Sequence, residues 1–160
     1  MEIRNIRQED LEAVATLERA NFSEDEQISK TVLERYVQLF SQTCLVMENE
    51  GELAGFILAC PSLANRVTDD IFYLEEPVAP VGYHLTIASL SVAPSYQGQG
   101  VGTLLLAGLK EVAVQGNYQG IALTCNESLI RYYQLNQFED AGPSRSQFGG
   151  KEWYDMYWKA

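Results

Sequence analysis

Leu90-Ser91-Val92-Ala93-Pro94-Ser95-Tyr96-Gln97-Gly98-Gln99-Gly100-Val101-Gly102-Thr103-Leu104-Leu105 is the stretch that decides the fold. It leaves an apolar strand, passes a proline and three alternating glycines, and enters a helix. Before it, residues 84–92 read His-Leu-Thr-Ile-Ala-Ser-Leu-Ser-Val, a central strand. After it, Leu104, Leu105, Leu109, Val112 and Ala113 give a helix with a broad apolar face up to Val114. The first turn of a helix exposes unpaired N–H groups and a partial positive charge. Glycine lets that backbone approach an anion with no Cβ in the way. The loop therefore reads as a cradle for phosphate or pyrophosphate, or more plainly as a tight turn. It is not a P-loop, because no Gly-Lys-Ser/Thr follows. Its alternating glycines are not the dinucleotide fingerprint either.

Working outward, Ile3 and Ile6 mark a first strand. A helical pattern begins at Asp10 with Leu11, Val14, Ala15 and Leu17, and stops near Asn21 and Phe22 before the acidic run Ser23-Glu24-Asp25-Glu26. Ser29 reads as the N-cap of a second helix through Phe40, with Val32, Leu33, Tyr36 and Val37 on one face. Residues 44–47 and 53–58 flank a polar turn containing Gly51, an antiparallel hairpin that Pro61 is expected to close. Residues 62–83, with Pro77, Pro80 and one helical turn near 70–74, read as an irregular functional loop or lid. Residues 121–125 form a buried strand, Asn126 caps a helix carrying Leu129, Ile130 and Tyr133, and residues 153–158 form a last strand. The order β-α-α-β-β-β-α-β-α-β predicts an α+β (mixed α/β) sheet protein in one domain, residues 1–160.

The chain has 160 residues, 46% of them hydrophobic, enough for one core without staples. Eleven Lys and Arg face 22 Asp and Glu, a formal charge of −11, which disfavours nucleic acid and anionic membrane as partners. Cys44, Cys60 and Cys125 are odd in number and lack metal-ligand spacing, and His84 stands alone among histidines, so no metal is expected. Reduced thiols, no apolar run near the ~20 residues that cross a bilayer, and no secretory pattern point to a soluble cytoplasmic protein.

The quoted stretch, with Asn126, Tyr133 and Phe138 downstream, resembles the acetyl-CoA-binding motif of the GNAT acetyltransferase superfamily: strand, (Gln/Arg)-x-x-Gly-x-(Gly/Ala), helix. With the element order, that resemblance spans essentially the whole chain. A closer resemblance is to the arylalkylamine (serotonin) N-acetyltransferase branch, bacterial type. It lies in residues 84–92, Leu123-Thr124-Cys125-Asn126, Tyr132-Tyr133, Ala141-Gly142-Pro143-Ser144 and residues 149–156. The resemblance implies a mostly antiparallel mixed sheet flanked by helices. It also implies acetyl-CoA as co-substrate without a metal, direct attack of a small primary amine on the thioester, and compatibility with a homodimer. It assigns the pantetheine arm and carbonyl to backbone groups of Leu90, Ser91 and Val92. The pyrophosphate falls to Gln97, Gly98, Gln99, Gly100, Val101, Gly102 and Thr103, and Asn126 joins the cofactor site. Tyr133 is the expected general acid, while Tyr132 is left to the core or surface.

Branch members of the vertebrate type carry two histidines where this chain has Thr86 and Ala88, positions expected to line the substrate site. Strand alternation puts both on one face with His84. That histidine reads equally as a base acting through water and as a satisfied strand-end residue. Glu26 resembles the glutamate of the branch's substrate loop, and with Phe22 would offer a cationic amine an anionic anchor and an aromatic wall. Cys125 reads as buried filler. Gln137 replaces the family's glycine before Phe138, and Asn136 is expected to take the left-handed turn instead. Two other readings stand beside this one. The first is an acyl-CoA-binding module without turnover. The second is the same fold acting on a polyamine, an aminoglycoside or a protein N-terminus.

Overall fold

A computed structural model describes residues 1–75 and 81–160. The chain runs β1 (Glu2–Asn5), α1 (Leu11–Asn21), α2 (Lys30–Leu39), β2 (Cys44–Asn49), β3 (Glu52–Ser62), β4 (His84–Val92), α3 (Val101–Gln115), β5 (Gly120–Cys125), α4 (Ile130–Leu135), β6 (Glu139–Pro143) and β7 (Tyr154–Lys159). The seven strands make one sheet in the order β1-β2-β3-β4-β5-β7-β6. All its pairings are antiparallel except the parallel β4–β5 pair, so the expected mixed, mostly antiparallel sheet is present.

Helices cover both faces because each carries one apolar stripe that must be buried. Val14 and Ala15 of α1 and Leu33 and Tyr36 of α2 pack on Val46, Phe56 and Leu58. Leu105, Leu106 and Leu109 of α3 and Tyr133 of α4 pack on the other face, against Ile57, Leu85, Ile121 and Met156. Ser29 caps α2 by accepting the Val32 N–H at Oγ. The start of α3 lies so near the sheet that a Cβ on Gly55 would sit 3.1 Å from the Val101 side chain and 3.2 Å from that of Leu105.

Three expectations change. Pro61 does not close the hairpin; it lies inside β3, opposite Leu85. The pairing of β3 with β2 ends at Leu58, so Pro61 has a strand on one side only and its missing N–H breaks no ladder bond there. A strand that the apolar pattern did not announce, β6, covers the far edge. Its Glu-Asp-Ala-Gly-Pro sequence has no apolar alternation and is held by pairing to β7. The turn after α4 is left-handed at Gln137 (φ 71°) and not at Asn136 (φ −95°). In the irregular connection the helical turn expected near 70–74 is present as a short 3-10 turn, Asp69–Phe72, and Pro77 and Pro80 lie outside the described residues.

The feature that opens the site is a bulge. Leu58 pairs with Ser89 but the next residue, Ala59, pairs with Ile87, leaving Ala88 as an extra residue in β4. Strand alternation slips there, so Ala88 packs toward α1 and α2 while Ser89 also bonds to α1. Parallel pairing to β5 is confined to His84, Leu85 and Thr86, opposite Gly120, Ile121 and Ala122. Beyond that point β4 runs on to Val92 and β5 to Cys125 as separate edges, and a cleft opens between them.

Candidate active site

The cleft passes through the sheet. Ile87, Leu90, Leu123 and Cys125 line it together with Tyr133, from the cluster that packs under α3 and α4. From the other face come Phe22, Phe72, Ala88, Phe148 and Trp153, with Glu18 and Glu26. One side is therefore reached past α3 and α4, and the other past α1 and an aromatic roof.

That roof is built by tertiary contacts between distant loops. Phe148 stacks on Phe72 with ring centres 4.1 Å apart, and the Trp153 indole N–H donates to the Phe148 carbonyl at 2.8 Å. Asp69 accepts the Ser146 hydroxyl and the Gln147 N–H, locking the C-terminal loop to the 3-10 turn. Lys151 pairs with Glu26 at 2.9 Å, and Gly149 lets the same loop approach Asp25 and Glu26. Of the expected substrate residues, Phe22, Glu26 and Ala88 thus line the cleft. Thr86 does not. It is fully buried, and its hydroxyl donates to the Cys60 carbonyl.

His84 stands at the paired end of β4, opposite Ser62 and Gly120, before the strands part. Its Nδ1 is 2.9 Å from the Tyr157 hydroxyl, and burial lowers its pKa, which favours the neutral ring. It is absent from the cleft lining because six residues of extended chain, about 20 Å, separate it from Leu90. Of the β4 residues, Ile87, Ala88, Ser89 and Leu90 line the cleft.

Tyr133 projects from α4 into the cleft and is 8% exposed, stacked edge-on against Tyr132 and Phe138. Burial pushes its phenol pKa well up, with Tyr132 and Cys125 adding to the effect, so it is protonated at neutral pH. Its hydroxyl has no hydrogen-bond partner among the described residues. Cys125 is buried too, and its thiol is pushed up to about 11, chiefly by burial, which disfavours a thiolate nucleophile.

A second hollow lies at the start of α3, lined by Val92, Gln97, Gly98, Gly100, Val101, Gly102 and Thr103. Gly98 and Gly100 have φ of 76° and 82°, and a Cβ at either would meet nothing within 4 Å. Glycine is needed there for the left-handed backbone and not for space. Gly102 is different: a Cβ would lie 2.8 Å from the Tyr132 hydroxyl, which is also 3.3 Å from the Thr103 Oγ1. Tyr132 thus packs against the core under α3 and α4, as expected, and also lines this hollow. The Gln99 side chain turns away to the Ser95 carbonyl. Ser91 and the Val92 carbonyl are engaged by the Asn21 amide, at 2.6 and 2.9 Å, which ties α1 to β4. Leu90 and Asn126 line the main cleft.

The residue not singled out from the sequence is Glu18. It is 1% exposed and lines the cleft from α1. A signal was present: Leu11, Val14, Ala15 and position 18 fall at helical i, i+3, i+4, i+7 spacing, so an acid occupies the apolar stripe. Among the described residues no cluster of three or more metal-ligating side chains occurs, and no helix is long and apolar enough to cross a membrane.

A family model described as Acetyltransferase (GNAT) family matches residues 3–138, and the chain belongs to that family. It is a GNAT-family N-acetyltransferase. The loading GNATL domain of CurA from Lyngbya majuscula superposes with a TM-score of 0.81 at 17% identity, covering 99% of this chain and 96% of that one. A GNAT-like decarboxylase, GphF, in complex with isobutyryl-CoA has a TM-score of 0.79 at 18% identity over 99% of both chains. A ribosomal-protein-alanine N-acetyltransferase from Brucella melitensis has a TM-score of 0.72 at 21% identity over all of both chains. At these identities the likeness is one of fold.

Proposed function

We propose that this chain transfers acetyl from acetyl-CoA to a small primary amine, with an arylalkylamine as the favoured acceptor. The observation that carries the proposal is the through-sheet cleft. A neutral phenol stands on one side, and an aromatic, acidic pocket on the other. The unpaired edges of β4 and β5 offer backbone groups to the amides of a pantetheine arm. The hollow at the start of α3 suits a pyrophosphate, because the helix N-terminus supplies N–H donors to an anion that a −11 protein otherwise repels. The aromatic roof favours a flat acceptor over a polyamine or a sugar amine.

The amine attacks the thioester carbonyl, the tetrahedral intermediate collapses, and Tyr133 gives its proton to the departing thiolate. Tyr133 regains a proton from the nitrogen that has become the amide. The free, buried thiols of Cys44, Cys60 and Cys125 suit a reducing cytoplasm, where a single domain of this kind would act.

The test is thiol release from acetyl-CoA with tryptamine, phenethylamine, spermidine, an aminoglycoside and an N-terminal peptide. Saturable release with the arylalkylamines, lost in Tyr133→Phe while acetyl-CoA still binds, is expected. Release with another amine discards the acceptor class. Binding without release from any of them favours a non-catalytic module.

A further inference from the structure

Glu18 is a buried acid on the apolar face of α1. Its Oε1 accepts the Ser89 hydroxyl at 2.8 Å and its Oε2 accepts the Ile28 N–H at 2.9 Å. No Lys, Arg or His forms an ion pair with it among the described residues. Each carboxylate oxygen has two lone-pair directions, so one on each remains unused. An isolated buried carboxylate is expensive unless it is protonated or meets a cation.

We infer that Glu18 receives the acceptor amine as its ammonium ion in the cleft and takes one proton from it, acting as the general base. The inference rests on the acetyl-transfer reading above. It is carried by position: Glu18 lines the cleft from the α1 side, whereas Tyr133 lines it from the α4 side. A free alkylamine has a pKa of about 10, like lysine, and so arrives charged at neutral pH. The ammonium N–H bond breaks toward Glu18, the freed nitrogen pair forms the C–N bond, and the C–S bond then breaks. One proton ends on Glu18 and passes to solvent. The second leaves the nitrogen for Tyr133, whose own proton has gone to the CoA sulfur. Ser89, on the bulge of β4, acts as a positioning residue that aims the carboxylate.

The other titratable groups facing the cleft do not compete for this role. Glu26, on the 3-10 turn after α1, is held by Lys151 of the C-terminal loop. Cys125 on β5 and Tyr133 on α4 are both held protonated by burial. β4 contributes only Ala88 and Ser89 beside its apolar residues. Burial raises the Glu18 pKa, against the two hydrogen bonds that lower it, which moves the acid toward the operating pH of a base.

The test is the pH profile of kcat/KM for Glu18→Gln with acetyl-CoA and tryptamine, beside calorimetric binding of acetyl-CoA. The wild type should lose activity as pH falls through the raised Glu18 pKa. The variant should lose that limb and about 100-fold or more in rate at neutral pH. It should recover as pH approaches the amine's own pKa, and with a less basic amine that arrives neutral. Glu26→Gln should instead raise KM and leave the limb in place. Turnover with no amine at all overturns the acetyl-transfer reading, and this inference with it. Wild-type turnover that Glu18→Gln retains, or a uniform loss at every pH and with every amine, overturns the inference alone.

Discussion

Placing a carboxylate at Gly100 should remove CoA binding while sparing the fold. Gly100 is the residue preceding α3, at φ 82°, and an added Cβ has open space around it. Gly100→Ala therefore costs only the left-handed backbone, about 1–2 kcal/mol of stability. That corresponds to a fall in Tm of roughly 2–8 °C for a chain of this length. Gly100→Glu adds a charge beside the hollow in which we place the pyrophosphate. At about 6 Å and an effective dielectric of about 20, each pair of like charges costs about 3 kcal/mol. Salt reduces this, but about 100-fold in Kd should survive, since every 1.4 kcal/mol is tenfold. Gly100→Gln has nearly the same shape without the charge, so the Glu-to-Gln ratio isolates the electrostatic part. Isothermal titration with CoA at two ionic strengths, beside thermal melts, reads both quantities. A folded Gly100→Glu protein that binds CoA like Gly100→Gln would refute the cradle and leave the loop a turn.

Gln137→Gly should stabilise the protein by about 1 kcal/mol, because glycine relieves the left-handed backbone at φ 71°; chemical denaturation with an unchanged m-value checks it. Gly102→Ala should weaken CoA binding unless combined with Tyr132→Phe, since the added methyl meets the Tyr132 hydroxyl at 2.8 Å; titration of both variants reads the rescue. Arg4 donates both terminal nitrogens to Asp10, at 2.8 and 2.9 Å, and holds that carboxyl below its ordinary pKa. The stabilisation is present above the unfolded value of about 4 and is lost as pH falls through the folded one. The Tm gap between wild type and Asp10→Asn should accordingly be open at pH 7 and close in acid. For Glu18 the sign reverses. Its raised pKa makes the charged form a cost that grows as pH rises through the folded value, so Glu18→Gln should gain Tm on the wild type from acid to pH 8.

Much of this architecture is local and hence legible in order along the chain. The apolar stripes at Val14 and Ala15, and at Leu33 and Tyr36, specify α1 and α2, and the runs around Gly51 specify a hairpin, because helix and strand periods differ. Alternating glycines before Val101 announce a backbone that must turn left-handed at the head of a helix. What the chain order does not contain is decided by pairing in three dimensions. The residues of β6 have no apolar pattern and become a strand only because β7 offers an edge. Alternation places His84, Thr86 and Ala88 together, but the bulge at Ala88 and the parting of β4 from β5 leave only Ala88 in the cleft. Glu18 and Ser89 lie 71 residues apart and meet at 2.8 Å. Sequence alone thus determined the four helices, every strand but β6, their order and the family, since those follow from short-range periodicity and motif. The tertiary structure decided which residues line the cleft, Glu18 among them, because a site between splayed strands exists only once the sheet is assembled.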